Sequence, residues 1–243
     1  TVIDVATCDF KELHPTEGYK KMAALTLPSY RVEDLEGHAV EAKIEDLGAN
    51  FEYDLPKDKF RQARIARQVR VTVPVHLAPL SWTTFQLLEG QQEHRDGIYQ
   101  NGVIDTPFVT VSVDDTITVY DKTTHEAYED VVRFEDRGDI GNEYIYFQPK
   151  GTEPIYAELK GYEVLENTAR FAKILLQHEL TIPVSADEKL DAEQRGIIEF
   201  MTREAGRSDE WTSILLETEM TVFVDNPQIR FKTRFTNTAK DHR

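Results

Sequence analysis

Ile214-Leu215-Leu216-Glu217-Thr218-Glu219-Met220-Thr221-Val222-Phe223-Val224-Asp225-Asn226-Pro227-Gln228-Ile229-Arg230-Phe231-Lys232-Thr233-Arg234-Phe235 is the stretch whose reading decides the fold. Ile214, Leu216, Met220, Val222 and Val224 are spaced by even numbers of residues, which puts them on one face of an extended chain. Asp225-Asn226-Pro227 then supplies a turn, because Asn tolerates unusual backbone angles and Pro cannot continue a ladder. Ile229, Phe231 and Phe235 return along a second strand.

The same period recurs upstream. Val69, Val71, Val73, Val75 and Leu77 fall on one face, opposite Arg70, Thr72 and His76. Val109, Val111 and Val113 repeat the pattern, and Asp114-Asp115 turns the chain before Ile117 and Val119. Residues 169–184 fit a strand through Ala172, Ile174, Leu176, Leu180 and Ile182, and equally a short helix through Phe171, Ile174, Leu175 and His178. Ser185 and Glu188 have the spacing of a capping box for a helix over 187–194, but apolar residues are scarce there and a polar linker is the favoured reading. The expectation is an all-β protein. The polar run Glu89–Gly97 marks a boundary, with a small immunoglobulin-like β-sandwich over 1–92 and part of a larger antiparallel sandwich over 93–243.

Charge and composition narrow the functional classes. At 243 residues, the chain is long enough to bury a core in one large domain or two small ones. A net charge of −16 repels nucleic-acid phosphates and anionic membranes, and no apolar run nears the roughly 18 residues of a membrane span. The expectation is therefore no nucleic-acid and no membrane partner. The single Cys8 excludes an internal disulfide, which points to a reducing cytoplasm. No helper histidine marks Cys8 as a nucleophile. The chain opens on Thr1 and ends at Arg243 directly after a strand-like run, which suggests a piece of a longer protein.

Residues 134–149 carry the most chemistry: Phe134-Glu135-Asp136-Arg137-Gly138-Asp139-Ile140-Gly141-Asn142-Glu143-Tyr144-Ile145-Tyr146-Phe147-Gln148-Pro149. Four carboxylates and one arginine surround two glycines that permit sharp turns, and an aromatic run follows, a pattern that suits the rim of a sugar pocket. This string resembles the Phe-Glu-Asp-x-Gly-Asp-x-Gly-Asp/Asn-Glu-Tyr of glycoside hydrolase family 38, the zinc-dependent retaining α-mannosidases. Asn101–Phe108, Val119–Thr124, Tyr53–Asp58 and Ala66–Val69 are similar to its bacterial branch, and Asn237–Arg243 resembles the family's Asn-x-Ala-x-Asp-His-Arg. The resemblance lies downstream of the family's catalytic domain. It implies a small β-domain followed by a galactose-mutarotase-like supersandwich, here stopping at Arg243. It also implies that the catalytic zinc and the nucleophilic aspartate belong to an upstream barrel absent from this chain, and that the substrate is a mannose-containing oligosaccharide. Family members often assemble as homodimers.

On the same resemblance, Tyr144 occupies the position of a tyrosine that borders the mannose pocket, where a phenol donates to a hydroxyl while its ring packs on the sugar. The alternative is that Tyr144 packs between sheets. Asp139 and Glu143 are read as loop-structuring acceptors of backbone hydrogen bonds, Arg137 as their ion partner, and Arg243 as a second substrate-binding candidate. No catalytic residue and no metal ligand is assigned within the chain. His94-Arg95-Asp96 has a His-x-Asp spacing but too few ligands for zinc, and the spacing of 135–143 does not match a calcium-binding helix–loop–helix.

Two other classes compete with an inactive α-mannosidase β-fragment, whose sister branch cleaves mannosylglycerate. A free-standing carbohydrate-binding module would display aromatics, with Trp82 and Trp211 as candidates, although their places in or beside strand patterns favour core packing. A mutarotase-like enzyme would use a histidine and a carboxylate, but His125, His178 and His242 show no partner context.

Overall fold

β1 (Val2–Asp9), β5 (Gln62–Thr72) and β4 (Lys43–Asp54) form one antiparallel sheet in the order β1-β5-β4, and β3 (Ala39–Val40), β2 (Tyr30–Glu33) and β6 (Gln86–Glu89) form a second. The structure is a computed structural model and describes residues 1–9, 14–93 and 95–243. The chain divides into two compact units, Thr1–His94 and Arg95–Arg243.

In the first unit, Val32 of the small sheet and Val69 and Val71 of the larger one are buried in a shared cluster with Ile3, Ile44, Phe85 and Leu87, so the sheets pack as a small sandwich. The alternation expected through Leu77 stops earlier. The strand ends at Thr72, and Val75 and Leu77 are exposed. Pro74 has no N–H to offer a ladder, which accounts for the early end. Helix α1 (Pro15–Ala23), which the periodicity did not reveal, starts with the His14 ring accepting from the Thr16 N–H at 3.3 Å and Pro15 in the first turn. It covers Cys8, which is buried with Met22 and Ile65 and offers no exposed thiol.

The second unit opens with a five-stranded antiparallel meander: β7 (Tyr99–Gln100), β8 (Val103–Asp105), β9 (Val109–Val113), β10 (Ile117–Asp121) and β11 (Glu126–Tyr128). A two-stranded ladder of β12 (Glu135–Asp136) and β13 (Ile155–Tyr156) follows. β14 (Glu158–Asn167), β15 (Phe171–Pro183), β16 (Trp211–Phe223) and β17 (Ile229–Phe235) then make a four-stranded sheet in sequence order. Residues 169–184 are thus strand and not helix. β15 and β16 pair without slip from Phe171↔Phe223 to Pro183↔Trp211, the register that keeps both apolar sets on one face.

That face meets the meander. Ala172, Ile174, Leu176, Met220 and Val222 share a cluster with Ile104, Val111, Val113 and Ile117, and the two sheets form a sandwich. Thr218 lies in the same buried stripe, and its hydroxyl bonds Thr233 Oγ1 across the strands at 2.9 Å, so the polar group is satisfied. Between β15 and β16 the chain forms helix α2 (Lys189–Arg195) where a polar linker was expected. Leu190 is its one buried residue, packed with Ile140, Ala186 and Ala205, and Glu193 ties it further by accepting from the Glu204 and Ala205 N–H groups at 2.7 and 3.3 Å. The capping box that the Ser185–Glu188 spacing allowed is not made: Ser185 donates to the Ala186 carbonyl, and Asp187 accepts from the Lys189 N–H instead.

Candidate functional site

The segment 134–149 is built as a braced loop. After β12, the backbone of 137–139 runs against the last residues of the chain: Arg137 N–H donates to Arg243 O at 3.0 Å, Arg243 N–H to Arg137 O at 2.9 Å, and Asp139 N–H to Asp241 O at 2.8 Å. Beyond this the loop closes on itself, with Ile140 N–H on Phe147 O at 2.8 Å and Asn142 N–H on Ile145 O at 3.0 Å. Asp139 Oδ1 accepts from the Gly141 and Phe147 N–H groups at 2.9 and 3.1 Å, the loop-structuring role read for it. Asn142 Oδ1 accepts from the Tyr144 and Ile145 N–H groups, both at 2.9 Å. From beneath, the buried Arg203 donates to the carbonyls of Ile140 and Gly141.

The two glycines serve by their lack of a side chain and not by an unusual φ. A Cβ on Gly141 would stand 1.8 Å from the Ile145 carbonyl oxygen, and one on Gly138 would stand 2.9 Å from Arg207 Cδ. The loop thereby lifts Tyr144 to its tip, where the residue is 87% exposed and cannot be a core tyrosine. Beside it lies an open hollow of about 830 Å³ bordered by Asp139, Glu143, Phe200, Arg203, Asp241 and His242.

Under the loop sits a buried charge cluster that the sequence reading missed. Asp136 is 1% exposed; its Oδ1 lies 2.6 Å from His242 Nδ1 and its Oδ2 accepts from Arg207 Nη1. His242 Nε2 lies 3.1 Å from Asn237 Oδ1. That oxygen also accepts from the Ala239 N–H at 3.0 Å, so both imidazole nitrogens face acceptors. His242 therefore has the carboxylate partner that its sequence context did not reveal; the two residues are 106 positions apart. Arg207 Nε and Nη2 are buried without partners.

Two expectations for this region are corrected. Arg137 pairs with Glu135 and not with Asp139 or Glu143, because residues two apart in extended backbone share a side. The guanidinium holds the Glu135 carboxyl below its ordinary range, and Glu135 raises Arg137 in turn. Glu143 is exposed on the hollow and does not pin the turn; Asn142 does. The carboxylates of 135–143 do not converge on a cation: Glu135 and Asp136 are spent on ion pairs and Asp139 on backbone N–H groups. Arg243 lays its guanidinium over the Tyr146 ring at 4.6 Å, near the loop but turned to its flank.

Trp82 and Trp211 are 82% and 58% exposed, against the expected core packing. Trp82 lies in a loop, and Trp211 is the exposed first residue of β16. His125 meets Tyr120 Oη at 3.2 Å, and His178 is buried. His94 lies outside the described residues.

Among the described residues, the ligand atoms of Asp34, Glu36 and His38 lie within 4.8 Å of one another. They do not fit a zinc centre. The turn is exposed, and Asp34 already accepts from the backbone of Glu36 and His38 and faces the His38 ring, contacts that lower its pKa, the His38 backbone N–H most of all.

By its fold the chain is a tandem β-sandwich protein. Residues 1–89 match the model of the glycosyl hydrolases family 38 C-terminal domain 1. Over 237 residues, 92% of this chain and 26% of the relative, it is 31% identical to a Halalkalibacterium halodurans protein provisionally named a mannosylglycerate hydrolase. All of the chain matches 28% of an α-mannosidase structure from Enterococcus faecalis V583, with a TM-score of 0.86 and 31% identity. It also matches 30% of a family 38 protein structure from Enterococcus faecalis, with a TM-score of 0.81 and 27% identity. The chain belongs to glycoside hydrolase family 38, in the β-rich region to which these relatives align, and it spans between a quarter and a third of their length.

Proposed function

We propose that this chain is the β-region of a retaining α-mannosidase that hydrolyses terminal α-linked mannose, with the catalytic zinc and the nucleophile carried outside these 243 residues. The observation that carries the reading is the exposed Tyr144 at the tip of a loop braced by Asp139, Asn142 and Arg203. A rigid loop that spends this many hydrogen bonds on presenting one phenol to solvent serves a ligand better than it serves the core. In this reading Tyr144 donates to a sugar hydroxyl at the pocket rim and Arg243 borders it. No residue of the chain acts as acid, base or nucleophile, and the chain by itself is inactive. The parent works in the cytoplasm on mannose-containing oligosaccharides, binds neither nucleic acid nor membrane, and assembles as a homodimer.

Two assays test this. Full-length parent protein hydrolyses an aryl α-mannoside and loses the activity to a chelator, while the 243-residue chain alone is inert. Hydrolysis by the isolated chain would overturn the assignment. Tyr144→Phe in the parent lowers kcat/KM about fivefold to tenfold, the worth of one hydrogen bond, with zinc content unchanged. Unchanged kinetics remove Tyr144 from the pocket. A second reading, mannosylglycerate hydrolysis, is supported by the name of the Halalkalibacterium halodurans relative. It predicts a zinc-loaded parent that ignores aryl mannosides and cleaves mannosylglycerate.

A further inference from the structure

Arg203 is buried and carries a charge that no carboxylate answers: among the described residues its guanidinium makes no ion pair. Arg207, four positions on, has Asp136 for that purpose. Burying a cation without a counter-charge is costly unless its N–H groups are well used. Nε donates to the Ile198 carbonyl at 3.2 Å, and Nη1 donates to the carbonyls of Ile140 and Gly141, the latter at 2.7 Å. These acceptors belong to two separate stretches. Ile140 and Gly141 lie in the loop that carries Tyr144, and Ile198 lies between α2 and the 3₁₀ turn Phe200–Thr202.

The second stretch has fixings of its own. Ile198 N–H donates to Glu193 O at 2.9 Å and Ile197 N–H to Gln194 O at 3.1 Å. Ile197 stands at φ +55°, an outlier for a β-branched residue, and such a conformation persists only where the surrounding bonds impose it. A second link joins the same two stretches: the Phe147 and Phe200 rings meet at 5.7 Å with an interplanar angle of 65°. The hollow of about 830 Å³ is walled by both, with Asp139 and Glu143 from one and Ile198 and Phe200 from the other.

We infer that Arg203 is a positioning residue for Tyr144: its guanidinium sets the loop tip against the stretch 196–203, and turnover depends on that stretch through this bracket. The guanidinium offers two nitrogens in one fixed plane, one for each stretch. A lysine keeps the charge but has a single nitrogen, so it holds one stretch or the other. The inference rests on the proposed function, because it takes Tyr144 as a contact of the substrate. It adds that the place of Tyr144 is set by a side chain 62 and 63 positions downstream of the carbonyls it holds.

Kinetics of the full-length parent on an aryl α-mannoside test it, with zinc content checked in every variant. Arg203→Lys lowers kcat/KM about fivefold to tenfold, divided between kcat and KM as in Tyr144→Phe, and adds no more than about twofold in the Tyr144→Phe background. A loss of full size in that background overturns the inference, since it gives Arg203 a contact of its own. A silent Tyr144→Phe overturns the proposed function and this inference with it. A parent slowed by Tyr144→Phe and untouched by Arg203→Lys overturns this inference alone. In the 243-residue chain, Arg203→Lys speeds hydrogen exchange at the Tyr144 amide about tenfold while the β15–β16 amides keep their protection. Unchanged protection at Tyr144 also overturns the bracket. Should Arg203→Lys fail to fold, Phe200→Leu carries the same cycle. It removes the ring contact between the two stretches and lowers kcat/KM about twofold to threefold, an effect lost in Tyr144→Phe; its persistence there overturns the inference.

Discussion

Gly141 shows how little room the loop tip has. Alanine there would press its methyl group against the Ile145 carbonyl oxygen, which belongs to the backbone and cannot rotate away. Gly141→Ala should cost about 1–3 kcal/mol as an overpacked site. It should also speed hydrogen exchange at the Tyr144 and Ile145 amides, which depend on the Asn142 turn. Protection unchanged at those amides would mean that the turn is not what fixes Tyr144. At this scale the sequence was only half legible. Asp139 could be read as a backbone acceptor because a carboxylate beside glycines has few other uses. The choice between Asn142 and Glu143 could not be read, since both can accept and only the closed turn decides which one reaches. Trp82 and Trp211 misled for a related reason: a large apolar side chain argues for burial only where a facing element exists to cover it.

Two elements hold the second unit, and they fail in different ways. In the β15–β16 pair the stabilisation is apolar burial, so Met220→Ala should lower the unfolding free energy by about 2–5 kcal/mol without a change of fold, read from the denaturant midpoint. In the Asp136 cluster it is charge pairing. Asp136→Asn keeps the shape but leaves the Arg207 guanidinium buried with no counter-charge, and about 3–5 kcal/mol should be lost. A loss below 1 kcal/mol would mean that water or the imidazole already compensates Arg207. β16 was legible because its period-two run leads into a turn and a returning strand, whereas β15 fitted a helix as well as a strand until its register with β16 decided it. The Asp136 cluster was not, because its members are separated by 71 and 106 positions, and no local pattern reports such contacts. Helix α2 fell between the two: Leu190 is its one buried residue, too few to show a helical period, and the Glu193 bonds to the Glu204 and Ala205 backbone leave no local pattern.

Acid should dismantle the molecule in two stages. Burial keeps the His178 imidazole neutral in the native state, with its pKa below the unfolded value of about 6.5. The native state therefore binds fewer protons here than the unfolded one does. This contribution is complete above about pH 6.5, declines as pH falls towards the lowered native value and is gone below it. Lys122 holds Asp105, Arg137 holds Glu135 and the Thr123 backbone holds Asp121 below their ordinary values. Their contributions are present above the unfolded carboxylate range near pH 4 and vanish as pH falls through the native values. Thermal midpoints measured against pH should show both declines, with the upper one missing in His178→Leu; its persistence there would assign it to another group. The long separation of Asp136 from its partners also has a temporal side. Both sheets of the second unit are complete in a chain made through Phe235, but Asn237 and His242 come after it. A nascent chain at that point has these strands and an Asp136 paired with Arg207 but not yet with His242, so the backbone ladder that braces 137–139 beneath Tyr144 closes only after the strands are made.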